Sequence, residues 1–250
     1  MKRIAFLAPV AAAAFIAAQA CAAGTALDPM PKDLEARFAL SALPAALRKD
    51  ATVYLLDPGK GYVLSRQGTS GLACLVERTV WEWAEHRDDV FIPLCYDAAG
   101  TASYLKVIVD TAAMRAQGMD APALKTEIEG RYKSGTYAAP KKPGLSYMVA
   151  PVMRALGPPD MKMHTMSMPH LMIYAPGATN EDIGAKPDLA VAASLRYPFI
   201  DKQGNAEQSY MIQMLGATEK KQVLAEEQAL LRDLCTYRHV LCLGGKGMQH

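Results

Sequence analysis

Four cysteines constrain the fold more than any other feature of this sequence, because each disulfide ties two separate segments together. Cys74, Cys95, Cys235 and Cys242 lie outside the N-terminal segment that holds Cys21. An even count in an exported chain indicates disulfides, and four cysteines allow three connectivities. The pairing that is local in the sequence joins Cys74 to Cys95 and Cys235 to Cys242. No CxxC spacing of the redox or metal-binding kind is present.

The second pair places a condition on local structure. In one continuous helix, the Cα atoms of Cys235 and Cys242 would lie about 10 Å apart. A disulfide needs a Cα separation below about 7 Å. This pairing therefore requires a helix to end between the two cysteines, and the β-branched and aromatic residues within 236–240 suit such an ending.

The first 23 residues have the pattern of a secretory signal peptide. Lys2 and Arg3 precede an apolar run over residues 4–18, and small residues that suit cleavage follow it. The run is shorter than the roughly 20 apolar residues that span a bilayer. We predict a cleaved signal, a periplasmic or extracellular protein and no transmembrane anchor. The alternatives are an uncleaved anchor helix and a lipid-modified Cys21, although Ala18 and Gln19 are atypical before such a cysteine.

The net charge of +2 belongs to the predicted signal peptide. Removing Lys2 and Arg3 leaves 25 basic and 25 acidic residues, so the mature chain is neutral. Nucleic-acid binding needs a basic stripe or patch, and we therefore predict no nucleic-acid partner. A protein partner cannot be named from the sequence.

Hydrophobic periodicity and turn residues predict an α+β fold. Residues 57–61 form a Pro/Gly turn between two apolar runs, which predicts a hairpin. A third run follows, so we expect an antiparallel meander at the start of the sheet. Helices are expected over 31–49 with a break at Pro44, and over 101–117, 122–133 and 218–234. Strands are expected over 52–56, 62–64, 72–76, 91–94, 145–149, 170–174 and 209–215, while 149–156 also suits a helix.

Together these elements predict a mainly antiparallel sheet packed with three to four helices. The sequence contains no repeat and no evident domain linker. We therefore expect a single α+β domain over residues 24–243, followed by a flexible tail over 244–250.

Residues 161–172 carry the clearest chemical signal, because five methionines and two histidines fall within them. Thioether and imidazole groups are ligands that the soft ion Cu(I) selects. In an extended strand, neighbouring side chains on one face are about 6.8 Å apart, so a bend at Pro169 or two separate sites would be needed. We predict copper binding through Met163, His164, Met166, Met168, His170 and Met172.

Segments of this sequence resemble two groups of known proteins. The Met/His-rich run resembles segments of periplasmic copper-binding proteins, which implies a soft-metal ligand set. The segments 71–74 (GLAC), 93–97 (PLCYD) and 168–174 (MPHLMIY) resemble a group of uncharacterised secreted bacterial proteins. That second resemblance covers most of the mature chain, and it implies export and a fold but no activity.

Other interpretations of the same run stay open. Methionine fills irregular gaps in hydrophobic cores and also forms adaptable binding surfaces, so the chain could be a non-catalytic binding or structural module. Alternatively, His170 could act as a general base in the cleft of a hydrolase-like enzyme. No GxSxG motif supports this alternative, and the sequence identifies no catalytic residue beyond His170.

Overall fold

An eight-stranded sheet forms the centre of the fold. The computed structural model describes residues 27–80 and 84–244, so the predicted signal peptide and residues 245–250 of the predicted tail lie outside the described residues. The strands are β1 (Thr52–Asp57), β2 (Gly61–Arg66), β3 (Ala73–Glu77), β4 (Ile92–Tyr96), β5 (Leu145–Met148), β6 (Met153–Gly157), β7 (Lys162–Met166), β8 (His170–Tyr174), β9 (Phe199–Lys202) and β10 (Ser209–Met214). The order in the sheet is β2-β1-β3-β4-β5-β8-β10-β9, and β6 and β7 pair separately as a hairpin.

The sheet is mostly antiparallel, as predicted, but its first three strands do not form a meander. Strand β3 lies beside β1 and runs parallel to it, whereas a meander would have placed β3 beside β2. The backbone N–H groups of Thr69 and Ser70 donate to the carbonyl of Asp50. These bonds hold the connecting loop against the start of β1, so β3 begins beside Thr52 and continues in the same direction.

Five helices of ten or more residues and one short helical turn, α2, occur among the described residues, which is more than the three to four predicted. The sequence-predicted helix over 218–234 is divided at Glu227 into two helices. Within residues 27–80 and 84–244, no helix is both long and apolar enough to cross a membrane. The helices are α1 (Lys32–Ser41), α2 (Ala98–Thr101), α3 (Tyr104–Ala116), α4 (Ala121–Lys133), α5 (Ala217–Glu226) and α6 (Gln228–Tyr237).

Three strands are absent from the sequence prediction. Strand β6 occupies part of the segment that suited a helix, and it pairs with β7 so that Met153 lies opposite Met166. Strand β9 forms the far edge of the sheet against β10. Each of these strands has only four or five residues and pairs with the next or preceding strand in the chain. The strand propensity of so short a segment is a weak signal, because it depends on the surroundings of the side chains.

Alternate side chains of the strands enter two separate cores. Cys74 and Cys95 lie in the core between the sheet and helices α1 and α6. Leu75, Leu94 and Met172 lie in the core on the opposite face, together with residues of α3, β6 and β7. We call the first face the disulfide face and the second face the cavity face.

Both disulfides follow the pairing that is local in the sequence. Cys74 lies directly opposite Cys95 on the neighbouring strand, with the two Cα atoms 4.0 Å apart. Helix α6 ends at Tyr237, and the turn that follows brings Cys242 back to Cys235 at a Cα separation of 4.5 Å. The helix therefore ends between the two cysteines, as the geometry of a disulfide requires.

Strands β1 and β3 separate soon after they meet, and two side chains satisfy the backbone groups in the gap. Direct pairing is confined to Thr52 and Val53 of β1. Beyond them, the N–H of Leu56 donates to a carboxylate oxygen of Glu35 at 2.8 Å. The hydroxyl of Tyr62 donates to the carbonyl of Val76 at 2.8 Å. Burial raises the pKa of Glu35 to about 7.

Candidate functional site: a methionine-lined cavity

A cavity of about 240 Å³ lies against the cavity face of the sheet. Its walls come from the sheet, from α3 and α4, from the β6–β7 hairpin and from the segment between β8 and β9. Most of the lining is apolar, and methionine is the most frequent residue in it. The six lining methionines are Met148, Met153, Met161, Met168, Met172 and Met214.

Three adjacent strands place a histidine between two of these methionines, one on each neighbouring strand. Met148 of β5 lies directly opposite His170 of β8, and Met214 of β10 lies directly opposite the same histidine from the other side. Directly opposed residues in antiparallel strands point to the same face and have Cβ atoms about 5 Å apart. We call Met148, His170 and Met214 the methionine–histidine row.

The imidazole of His170 is held in one tautomer. Its Nδ1 lies 2.7 Å from the backbone carbonyl oxygen of Met168. A carbonyl can only accept, so Nδ1 carries the proton and Nε2 keeps a free lone pair. Burial lowers the pKa of His170, although the hydrogen bond to Met168 and the charge of Asp201 oppose that shift. The imidazole is therefore neutral at pH 7.

The structure separates the six residues of the predicted copper site into two groups and one residue that belongs to neither. Met168, His170 and Met172 line the cavity. Met163 and Met166 lie on β7 and pack, partly buried, against the core of the cavity face. His164 is part of neither group: its Nε2 contacts the carboxylate of Asp160 at 2.6 Å, and about a third of its side chain is exposed.

Two members of the row are outside the Met/His-rich run, so the sequence prediction missed them. Met148 and Met214 each lie in a segment predicted to be a strand. Their relation to His170 depends on strand order and register, for which the sequence carries no local signal. Among the described residues, no three histidine, cysteine, aspartate or glutamate side chains come together as a metal site. A metal site at His170 would therefore depend on thioether ligands.

The other end of the cavity contains a carboxylate and a guanidinium. Glu77 ends β3 on the cavity face, opposite Ile92 of β4. Arg115 projects from the last turn of α3, and both side chains line the cavity. Burial raises the pKa of Glu77 to about 7, with the positive charge of Arg115 acting in the opposite direction. Burial also lowers the pKa of Arg115.

The hydrolase alternative needs a nucleophile near His170. The described residues that line the cavity include the hydroxyls of Thr79 and Thr111 but no serine or cysteine. The buried hydroxyl of Ser167 has no hydrogen-bond partner within the described part of the chain, and His170 instead contacts the Met168 carbonyl. A role for His170 as a general base stays a prediction.

No protein-family model, curated protein or solved structure matches this chain. The resemblance to secreted bacterial proteins therefore stays a prediction. The fold itself is an α+β arrangement built on a large, mostly antiparallel sheet.

Proposed function

We propose that this protein is exported and binds a soft metal ion, Cu(I), at the methionine–histidine row. The observation that carries the proposal is the placement of Met148 and Met214 directly opposite His170, on the two neighbouring strands. This arrangement sets one thioether on each side of the imidazole, and both ligand types suit Cu(I).

The state of His170 supports the same role. A histidine that binds metal usually donates its other ring N–H to a carbonyl or carboxylate, which fixes the tautomer and the ring orientation. Nδ1 of His170 makes such a bond to Met168, which leaves Nε2 for the ion. Because the imidazole is neutral at pH 7, metal binding would not need to displace a proton from Nε2.

The register of the strands supports a reach of the thioethers to an ion at Nε2. Methionine has three rotatable bonds and adapts to irregular surroundings, and the Cβ atoms of neighbouring row members are about 5 Å apart. Met168 and Met172 also line the cavity and would supply further thioethers. The ligand set therefore differs from the sequence prediction by adding Met148 and Met214, and it does not need His164.

Export is part of the proposal. Two disulfides are typical of proteins that fold in an oxidising compartment. The signal-like pattern of the first 23 residues supports the same interpretation.

The test is a titration of the purified, exported protein with Cu(I) under anaerobic conditions, in competition with a chromogenic Cu(I) chelator. We expect the double variant M148L/M214L to bind at least tenfold more weakly than the wild type. The matched control is Met211→Leu, which changes a methionine of the same strand β10 on the opposite face. Equal affinities of wild type and M148L/M214L would contradict the proposal.

A second variant distinguishes a copper site at the methionine–histidine row from a site formed by the six residues that the sequence predicted. The variant M163L/H164Q changes two β7 residues and leaves the row intact. We expect its Cu(I) affinity to remain within threefold of the wild type. A large loss of Cu(I) affinity in this variant, with no loss in M148L/M214L, would place the metal on the β6–β7 hairpin and contradict its assignment to the methionine–histidine row.

A further inference from the structure

The carboxylate of Glu77 has an unusual environment. It lies at the end of β3 on the cavity face, its side chain is half-buried, and it lines the cavity. Within residues 27–80 and 84–244, it makes no hydrogen bond and no ion pair of contact length. The side chain lines the cavity, so a ligand there can offer it a hydrogen bond.

Arg115 offers the complementary group. Its Nε donates to the carbonyl of Ala84 at 2.8 Å, and its Nη1 donates to the hydroxyl of Thr111 at 3.3 Å. These bonds hold the guanidinium in place, while Nη2 makes no hydrogen bond to any described residue. This end of the cavity therefore presents the carboxyl of Glu77, which accepts hydrogen bonds when ionised, and the Nη2 donor of Arg115.

The charges at this end select the chemistry of a ligand. Above the pKa of about 7, where Glu77 is ionised, an anionic group would be attracted by Arg115 but repelled by Glu77. A cationic group would be repelled by Arg115 and attracted by Glu77. An uncharged hydroxyl fits both, since it donates one hydrogen bond and accepts another. The lining also includes the apolar residues Val80, Ile92 and Ile128 and the hydroxyls of Thr79 and Thr111.

The volume restricts the size of the ligand. A cavity of about 150 Å³ binds benzene, and typical drug-sized pockets begin near 300 Å³. The cavity of about 240 Å³ therefore suits one ring or short chain with a few additional atoms.

We propose that the cavity binds a small, uncharged, mainly apolar alcohol or phenol, whose hydroxyl donates to Glu77 and accepts from Arg115. Glu77 and the methionine–histidine row line the same cavity, but the polar end that binds the hydroxyl lies apart from the proposed copper ligands. The strands of Glu77 and His170 are three positions apart in the sheet, a distance of about 14 Å between backbones. Ligand binding does not depend on metal binding.

The test uses metal-free protein and calorimetric titration with three probes of similar size. They are 4-ethylphenol, 4-ethyltoluene, in which a methyl group replaces the hydroxyl, and the anion 4-ethylbenzoate. We expect 4-ethylphenol to bind at least tenfold more tightly than either of the others. The proposal is overturned if 4-ethyltoluene or 4-ethylbenzoate binds as tightly as the phenol, or if no probe binds.

The variant Glu77→Leu tests the role of the carboxylate. It removes the acceptor and leaves an apolar wall, so we expect the preference to reverse: weaker binding of 4-ethylphenol and stronger binding of 4-ethyltoluene. Met211→Leu serves as the control and should leave both affinities unchanged. An unchanged preference in folded Glu77→Leu would overturn the assignment of Glu77. If this variant does not fold, the comparison of the three probes on the wild type decides the proposal.

Discussion

Nδ1 of His170 donates a hydrogen bond to the carbonyl of Met168, two residues earlier in the chain, at 2.7 Å. This bond assigns the proton of the neutral imidazole to Nδ1 and so leaves Nε2 without a proton. The bond is made within the protein and does not depend on whether a metal is bound.

The state of His170 predicts how Cu(I) binding depends on pH. Because burial lowers the pKa of this histidine from its ordinary value of 6.5, a proton competes with the metal only below that value. Affinity measured by chelator competition should therefore stay constant between pH 8 and about pH 6.5. A progressive loss that begins above pH 7 would show that the metal is bound by an imidazole that titrates in its usual range or above it.

Glu35 predicts a pH-dependent stability. Its raised pKa of about 7 means that between pH 4.5 and 7 the folded protein keeps a proton that the unfolded chain has lost, so stability falls as pH rises through that window. Glu35→Gln keeps an oxygen for the N–H of Leu56 and removes the charge. We expect the variant to match the wild type near pH 4.5 and to exceed it at pH 8 by about 3 kcal/mol.

The measurement is urea denaturation of both proteins at the two pH values. Asp33→Asn is the control, because Asp33 lies on the same helix but is exposed. A constant difference between Glu35→Gln and the wild type at both pH values would show that Glu35 titrates normally in the folded protein.

The two disulfides should contribute unequally to stability. Cys74 and Cys95 are fully buried and close the longer loop, with a separation of 21 residues against 7 for Cys235 and Cys242. Loop entropy predicts a loss of about 3 kcal/mol for C74A/C95A, with a further loss from the buried space that the sulfur atoms leave. C235A/C242A should lose less. Equal shifts in the denaturation midpoints of the two double variants would argue against this ranking.

Tyr174 anchors α2 to the sheet through a charged acceptor. Its hydroxyl lies 2.9 Å from the carboxylate of Asp97 and 2.8 Å from the carbonyl of Leu145. Asp97 also accepts the N–H of Gly100 at the start of α2. Because hydrogen bonds to charged groups are worth about 1.5–3 kcal/mol, we expect a loss of this size in Tyr174→Phe. Tyr197→Phe should be neutral in the same thermal or urea denaturation, since the side chain of Tyr197 is 75% exposed.

Local patterns predicted the elements that depend on their own residues. The Pro/Gly turn after Asp57 produces the β1–β2 hairpin, and the alternation within residues 170–174 corresponds to β8 with the same bounds. The parallel pairing of β1 with β3 did not follow from the sequence. It depends on hydrogen bonds from the loop residues Thr69 and Ser70 to Asp50, which no periodicity encodes.

At the candidate site, too, some features could be predicted from the sequence and others could not, and the physical cause is the same. The sequence by itself identified the run of methionine and histidine residues and required the last helix to end before Cys242, because both depend on residues close together in the chain. Only the tertiary structure brought Met148 and Met214 to either side of His170 and separated His164 from that row. These neighbours are determined by strand order and register, and a shift of one residue in register would turn each side chain to the opposite face of the sheet.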